Sequence, residues 1–283
     1  MTVTTHRFIL RGFICSATWT IFTSFTTVSG LEDSLGKTAD ILKSFEEKNK
    51  NKDTNKSKLT FNKEIGFKNV CFSYSDNKAF KLNNIEFSIK KGEKIGIKGP
   101  SGSGKSTIVD LLLGLLQPTS GKILFDSEQL NENNIESWQE KIAFVSQSIF
   151  LTDESISQNV SFTGEKQTIK EDKINSVLKN VNLLDYVNKL PEGINSKVGE
   201  RGSNLSGGQI QRIGIARALF KNKEVIVLDE ATNSIDKHNE EIIMDYLSKI
   251  DGLTLILISH NDQLLKKCDQ IFLINEGKLQ KIS

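Results

Sequence analysis

Apolar and polar positions alternate in three different ways along this chain. From Gly12 to Leu31 (GFICSATWTIFTSFTTVSGL) no residue is charged, and twenty helical residues span roughly 30 Å, a bilayer core. Eight of the twenty are Ser or Thr, which suits a helix packed among other helices better than one facing lipid. The stretch is expected to be a transmembrane helix from a bundle. A signal peptide opened by His6, Arg7 and Arg11, a core helix and a disordered segment are the alternatives, although no small-residue cleavage site follows. Leu31, Leu35, Thr38, Leu42 and Phe45 then recur at helical spacing, predicting a stalk that completes an N-terminal segment over 1–46. Lys37, Lys43, Lys48 and Lys50 outnumber Arg7 and Arg11, which puts this end in the cytoplasm. The run EKNKNKDTNKSK (47–58) has no apolar residue, so 47–60 reads as a polar linker.

From Phe61 to the C-terminus the pattern changes again. Short β-branched or aromatic runs stand at 67–74 (FKNVCFSY), 93–99 (EKIGIKG), 141–147 (KIAFVSQ), 224–230 (EVIVLDE) and 253–259 (LTLILIS), with helical patterns between the later ones. Nearly continuous apolar runs predict central strands of a mostly parallel sheet covered on both faces. The class is α/β, in one domain over 61–283. Composition agrees: of 283 residues 37% are hydrophobic and 25% charged, and the net charge is +2, which gives no electrostatic case for nucleic acid. The three cysteines, Cys15, Cys71 and Cys268, are far apart and read as free packing thiols.

Candidate chemistry begins at GPSGSGKST, residues 99–107. It fits G-x-x-x-x-G-K-[ST] between a strand and an apolar helix expected over 108–116. Gly99, Gly102 and Gly104 let backbone N–H groups turn into one concavity, with Pro100, Ser101, Ser103 and Thr107 completing the loop. The following helix start adds partial positive charge. Lys105 supplies a point charge for outer phosphates, and the Ser106 hydroxyl is placed for Mg²⁺. In VIVLDE (225–230) four apolar strand residues deliver two carboxylates to the strand end. Asp229 is expected to order the Mg²⁺ shell, and Glu230 to act as general base on water attacking a γ-phosphate. His260 ends another apolar strand.

LSGGQ, residues 205–209, opens a helical pattern with two glycines, each costing a helix about 1 kcal/mol. Ser206 can cap that helix, and Gly207 and Gly208 would leave its N–H groups bare as a second anion site. In a two-fold dimer each such half-site would face the phosphate loop of the partner. Close packing on a neighbouring segment is the plainer alternative.

These motifs together resemble the nucleotide-binding domain of ABC transporters. The resemblance covers residues 61–283 and implies a P-loop ATPase fold with a mostly parallel core sheet, an antiparallel β subdomain and a helical signature subdomain. Leu205 to Gln209 matches the family signature, 23 residues before Asp229. By the same resemblance Gln147 is the glutamine that senses Mg²⁺ and touches the membrane domain. Asp236 would communicate across the dimer, His260 would contact the γ-phosphate, and Tyr74 would stack on adenine. KVGERGSN (197–204) is similar to the cross-subunit loop of exporters, and details resemble flippases of lipid-linked oligosaccharides and polysaccharide exporters. The expected ligands are therefore ATP and Mg²⁺. The expected partners are a second ATPase domain, in a homodimer or heterodimer, and an exporter's transmembrane domain, at the cytoplasmic face of the inner membrane, with no nucleic acid. A soluble ABC-type ATPase outside transport, or a truncated copy that transports nothing, is the alternative. Asn233 and Ile235 depart from the smaller residues common before the Asp236 position.

Overall fold

The computed structural model describes residues 57–74, 81–162 and 170–283. The expected membrane helix, the stalk and most of the linker lie outside these residues. Among the described residues, no helix is long and apolar enough to cross a membrane.

Two sheets organise the compact unit Ser57–Ser283. The first is antiparallel, in the order β2-β1-β4-β5, from β1 (Glu64–Ser73), β2 (Lys81–Lys90), β4 (Ser120–Phe125) and β5 (Glu128–Gln129). The second has the order β10-β9-β3-β8-β7-β6, from β3 (Lys94–Lys98), β6 (Ile142–Val145), β7 (Val225–Asp229), β8 (Thr254–Ile258), β9 (Gln270–Asn275) and β10 (Lys278–Lys281). All of its pairings are parallel except β9 with β10. The helices are α1 (Lys105–Leu112), α2 (Ile135–Gln139), α3 (Ile156–Ser161), α4 (Glu171–Asn180), α5 (Leu184–Val187), α6 (Gly207–Lys221), α7 (Lys237–Ser248) and α8 (Asp262–Leu265).

The apolar runs of β7 and β8 are long because both of their faces are buried. Val225, Val227, Ile256 and Ile258 enter one core together with Ile108 and Leu111 of α1 and the inner face of the antiparallel sheet. Ile226, Leu228, Leu255 and Leu257 point the other way, into a core shared with α3, α4, α6 and α7. Successive strand side chains alternate between faces, so one strand serves both cores, each such burial contributing about 1.5–3 kcal/mol.

Two boundaries differ from expectation. The first helix of the phosphate motif ends at Leu112 rather than Leu116, because Gly114 turns left-handed at φ 70° and Leu115 is exposed. The methyl that any other residue would carry at 114 would lie 2.6 Å from Ile135. Leu59, placed by composition in the linker, is fully buried, and its N–H donates to Ser137 Oγ at 3.0 Å. Phe61 follows it onto Trp138, ring to ring at 6.1 Å. Trp138 itself donates to the Leu112 carbonyl at 2.7 Å, tying α2 to the end of α1. The strands β2, β4, β5, β9 and β10 fall outside the five runs that the sequence pattern predicts.

Candidate active site

Parallel pairing brings the C-terminal ends of β3, β8, β7 and β6 to one edge of the sheet, the edge where ligands bind in open α/β folds. Each strand hands a candidate residue to it. After β3 the chain makes the loop Gly99–Gly104 and enters α1 at Lys105. Gly102 and Gly104 adopt φ of 75° and 112°, the left-handed region that glycine enters without strain. A methyl at Gly99 would collide with the Ile274 carbonyl of β9. The first intrahelical bond runs from Ile108 N–H to Gly104 O at 3.0 Å, so the N–H groups of Lys105, Ser106 and Thr107 precede the helical ladder.

Lys105 is only 8% exposed, and its ammonium donates to the carbonyls of Gly99 at 2.8 Å and Pro100 at 3.0 Å. Ser103 Oγ is buried with no hydrogen-bond partner, a state that costs about 1–3 kcal/mol. A phosphate oxygen brought to the loop would accept from that hydroxyl. The donors here thus fit the phosphates of a nucleotide, while Ser101 and Ser106 are exposed. Hydroxyl, carboxylate and amide oxygens of Ser106, Asp229 and Gln147 are the hard donors that suit Mg²⁺.

Asp229 ends β7. Burial pushes its carboxyl up, and the neighbouring negative charge of Glu230 adds to this. Lys105 pulls it down, and Asp110 pushes up again. Glu230 takes a left-handed φ of 50°, with its N–H held by Ile258 O at 3.0 Å. The bend turns its carboxylate towards His260, whose Nε2 lies 3.2 Å from Glu230 Oε1. The other oxygen, Oε2, accepts from Asn233 Nδ2 at 3.0 Å. Gln147 stands exposed two residues beyond β6. Lys105, Asp229, Glu230 and His260 are therefore brought together as the motifs imply. Tyr74 lies one residue beyond β1, on the antiparallel sheet, with its ring edge-on to Phe72 at 4.9 Å.

The signature residues stand elsewhere. Ser206 caps α6: its Oγ accepts from Gln209 N–H at 3.3 Å, and Gln209 Oε1 accepts from Ser206 N–H at 2.7 Å. This reciprocal pair satisfies two helix-start donors. The closest neighbour of the two glycines is Ser234, in the loop after Glu230. A methyl at Gly207 would meet Ser234 Cβ at 3.4 Å, whereas one at Gly208 would lie 2.8 Å from the Ser234 carbonyl oxygen. Close packing is thus a full reason for Gly208 and a weak one for Gly207. Asp236 caps α7, accepting from Asn239 N–H at 3.1 Å and Asn239 Nδ2 at 2.6 Å. These bonds, helped by nearby Arg212, hold its carboxyl below the usual range.

Two residues of this region escaped the motifs. Gln211 is buried and accepts the Ser234 N–H at 2.7 Å, pinning the loop to α6. Arg212 donates to the Asn182 carbonyl at 2.6 Å and reaches Asn239. A glutamine on the inward side of an apolar helix was the one available signal.

The family model described as ABC transporter matches residues 82–233. The chain is 38% identical over 216 residues to "ATP-dependent lipid A-core flippase 2" of Colwellia psychrerythraea, covering 76% of this chain and 37% of that one. It is 39% identical over 221 residues to "Multidrug resistance protein 1" of Entamoeba histolytica, covering 76% of this chain and 17% of that one. A solved structure of a bacterial Atm1-family ABC exporter with ATP bound superposes with a TM-score of 0.73 at 30% identity, over 80% of this chain and 40% of that one. The chain thus spans well under half the length of each.

Proposed function

The chain belongs to the ABC transporter family, and from that premise we propose that its unit Ser57–Ser283 binds and hydrolyses ATP to drive an exporter. The observation that carries this is the meeting of Lys105, Asp229, Glu230 and His260 at one sheet edge beside a loop with a buried, unpartnered hydroxyl. Backbone N–H groups of 102–107 and the Lys105 ammonium hold the outer phosphates. Tyr74 offers the adenine a ring face. Ser106, Asp229 and Gln147 hold Mg²⁺, which when bound neutralises charge on the phosphate oxygens. Glu230 accepts a proton from the water that attacks the γ-phosphate, and His260 orients the Glu230 carboxylate from Oε1.

Ser206, Gly207, Gly208 and Gln209 serve the phosphates held by a second ATPase domain, identical or homologous, so that ATP joins the two. Asp236 and its loop lie beside that junction. The relatives are named as a lipid A-core flippase and a multidrug resistance protein, and the solved structure as an ABC exporter, which supports a place at the cytoplasmic face of a membrane, with transmembrane segments in this chain or a partner.

Glu230→Gln tests the chemistry. It keeps shape but removes the base, so ATP turnover should fall by about 10²–10⁴-fold while ATP still binds. Turnover near the wild-type rate would remove Glu230 from this role.

A further inference from the structure

The Glu230 carboxylate is gripped from two sides. His260 Nε2 takes Oε1 at 3.2 Å, and Asn233 Nδ2 takes Oε2 at 3.0 Å. The two grips differ in where they are rooted. His260 follows β8, a central strand paired on both sides, whereas Asn233 rides on the loop 231–236 that leaves the site.

That loop is fastened to α6. Ser234 N–H donates to buried Gln211 Oε1 at 2.7 Å, and the Ser234 carbonyl sits where Gly208 has no room for a methyl. Within the loop Ile235 N–H returns to Thr232 O at 2.9 Å, and Ala231 and Thr232 are buried. Asn233 and Ser234 are therefore consecutive residues with opposite loyalties, one bonded to the carboxylate and the other to the helix that carries the signature. The Asn233 side-chain amide spans from this loop to Glu230 Oε2, at 3.0 Å.

We propose that Asn233 is a positioning residue for Glu230: its amide fixes the carboxylate at Oε2 and makes that orientation follow the loop and, through Ser234, the start of α6. A displacement of α6 relative to the sheet would act on the Asn233 grip through Ser234 and leave the His260 grip with the sheet. The orientation of the proton acceptor in one site is thereby linked to what binds the same chain's signature. This rests on the reading of Glu230 as general base given above.

The test compares the full-length chain with Asn233→Ala, Asn233→Asp and Glu230→Gln in steady-state ATPase assays, with thermal melting of each. Asn233 is exposed, so all variants should fold with little change in Tm. Asn233→Ala should lower kcat about tenfold with KM for ATP unchanged, the worth of one hydrogen bond to a charged group. Asn233→Asp has the same shape but no donor and sets a negative charge against Glu230, so its kcat should fall below that of Asn233→Ala. A packing role would rank the two the other way, since aspartate fills the space that alanine leaves. Equal rates in Asn233→Ala, Asn233→Asp and wild type, or Asn233→Asp faster than Asn233→Ala, overturn the proposal while an inactive Glu230→Gln leaves the base reading standing. An active Glu230→Gln overturns both.

Discussion

The sheet edge and the start of α6 both offer bare helix-start donors beside glycines, yet they are built for different things. At the sheet edge those donors come with a buried cation, a half-buried carboxylate pushed up by its surroundings, and a Glu–His pair 3.2 Å apart. At α6 they come with a capping box and two glycines, and the Asp236 carboxylate, close enough to interact with Arg212 of α6, caps α7. One region gathers the charged groups that the proposed hydrolysis needs. The other offers helix-start donors without such a group of charges, and under the proposed function it serves phosphates held by a second domain. A helix start with glycines is thus not itself a catalytic signal; the charges gathered around it decide.

The largest effect that should separate the two regions is Lys105→Ala. With one charged donor gone, ATP affinity should fall about 10–100-fold, and turnover should vanish. Unchanged affinity in a fluorescent-nucleotide titration would move the phosphate site away from the sheet edge. No substitution at α6 should weaken ATP binding by the isolated chain in this way.

A smaller effect sharpens the electrostatic side. A carboxyl raised on folding is protonated more readily in the folded state than in the unfolded one. Stability therefore falls as pH climbs through the ordinary carboxyl range, and the loss is complete above the folded value. Asp229 is such a group. Without nucleotide or divalent cation, Asp229→Asn should melt above wild type at neutral pH, and the gain should shrink in acid. A lower melting point at neutral pH would mean that Asp229 is held by a partner rather than strained by burial and by Glu230.

How much of this is legible in the sequence follows from how local each feature is. The phosphate loop and β7 are written in consecutive residues, and the central strands betray themselves because both faces are buried. β2 hides because a bulge between Leu82 and Ile85, with Asn84 at φ 49°, breaks the alternation that Ile85, Phe87 and Ile89 otherwise keep. The docking of Leu59 is invisible because a single apolar residue in a polar run depends on Ser137, which is 78 positions away. The helix end at Leu112 hangs on one left-handed glycine inside a leucine-rich run. Asn233 could be noticed only as a departure from pattern. Its bond to Glu230 needs the bend at φ 50°, a conformation no propensity assigns to glutamate. The contact of Gly208 with Ser234 is likewise tertiary, and it gives half of the glycine pair a structural reason.

That split chooses the decisive experiment. Gly208 is unsuitable, because any side chain there presses on the Ser234 carbonyl of its own loop at 2.8 Å. Gly207 is exposed and meets Ser234 only at an ordinary 3.4 Å. Aspartate at a helix start is worth about 0.3–1 kcal/mol in the favourable direction, so Gly207→Asp should fold while repelling a phosphate. Sedimentation should be measured with ATP in the Glu230→Gln background, with and without Gly207→Asp. Glu230→Gln alone should sediment as an ATP-dependent dimer, and the double variant as a monomer that still binds ATP with unchanged affinity. A double variant that dimerises as well as Glu230→Gln alone would contradict a site shared between the sheet edge of one chain and the signature of another.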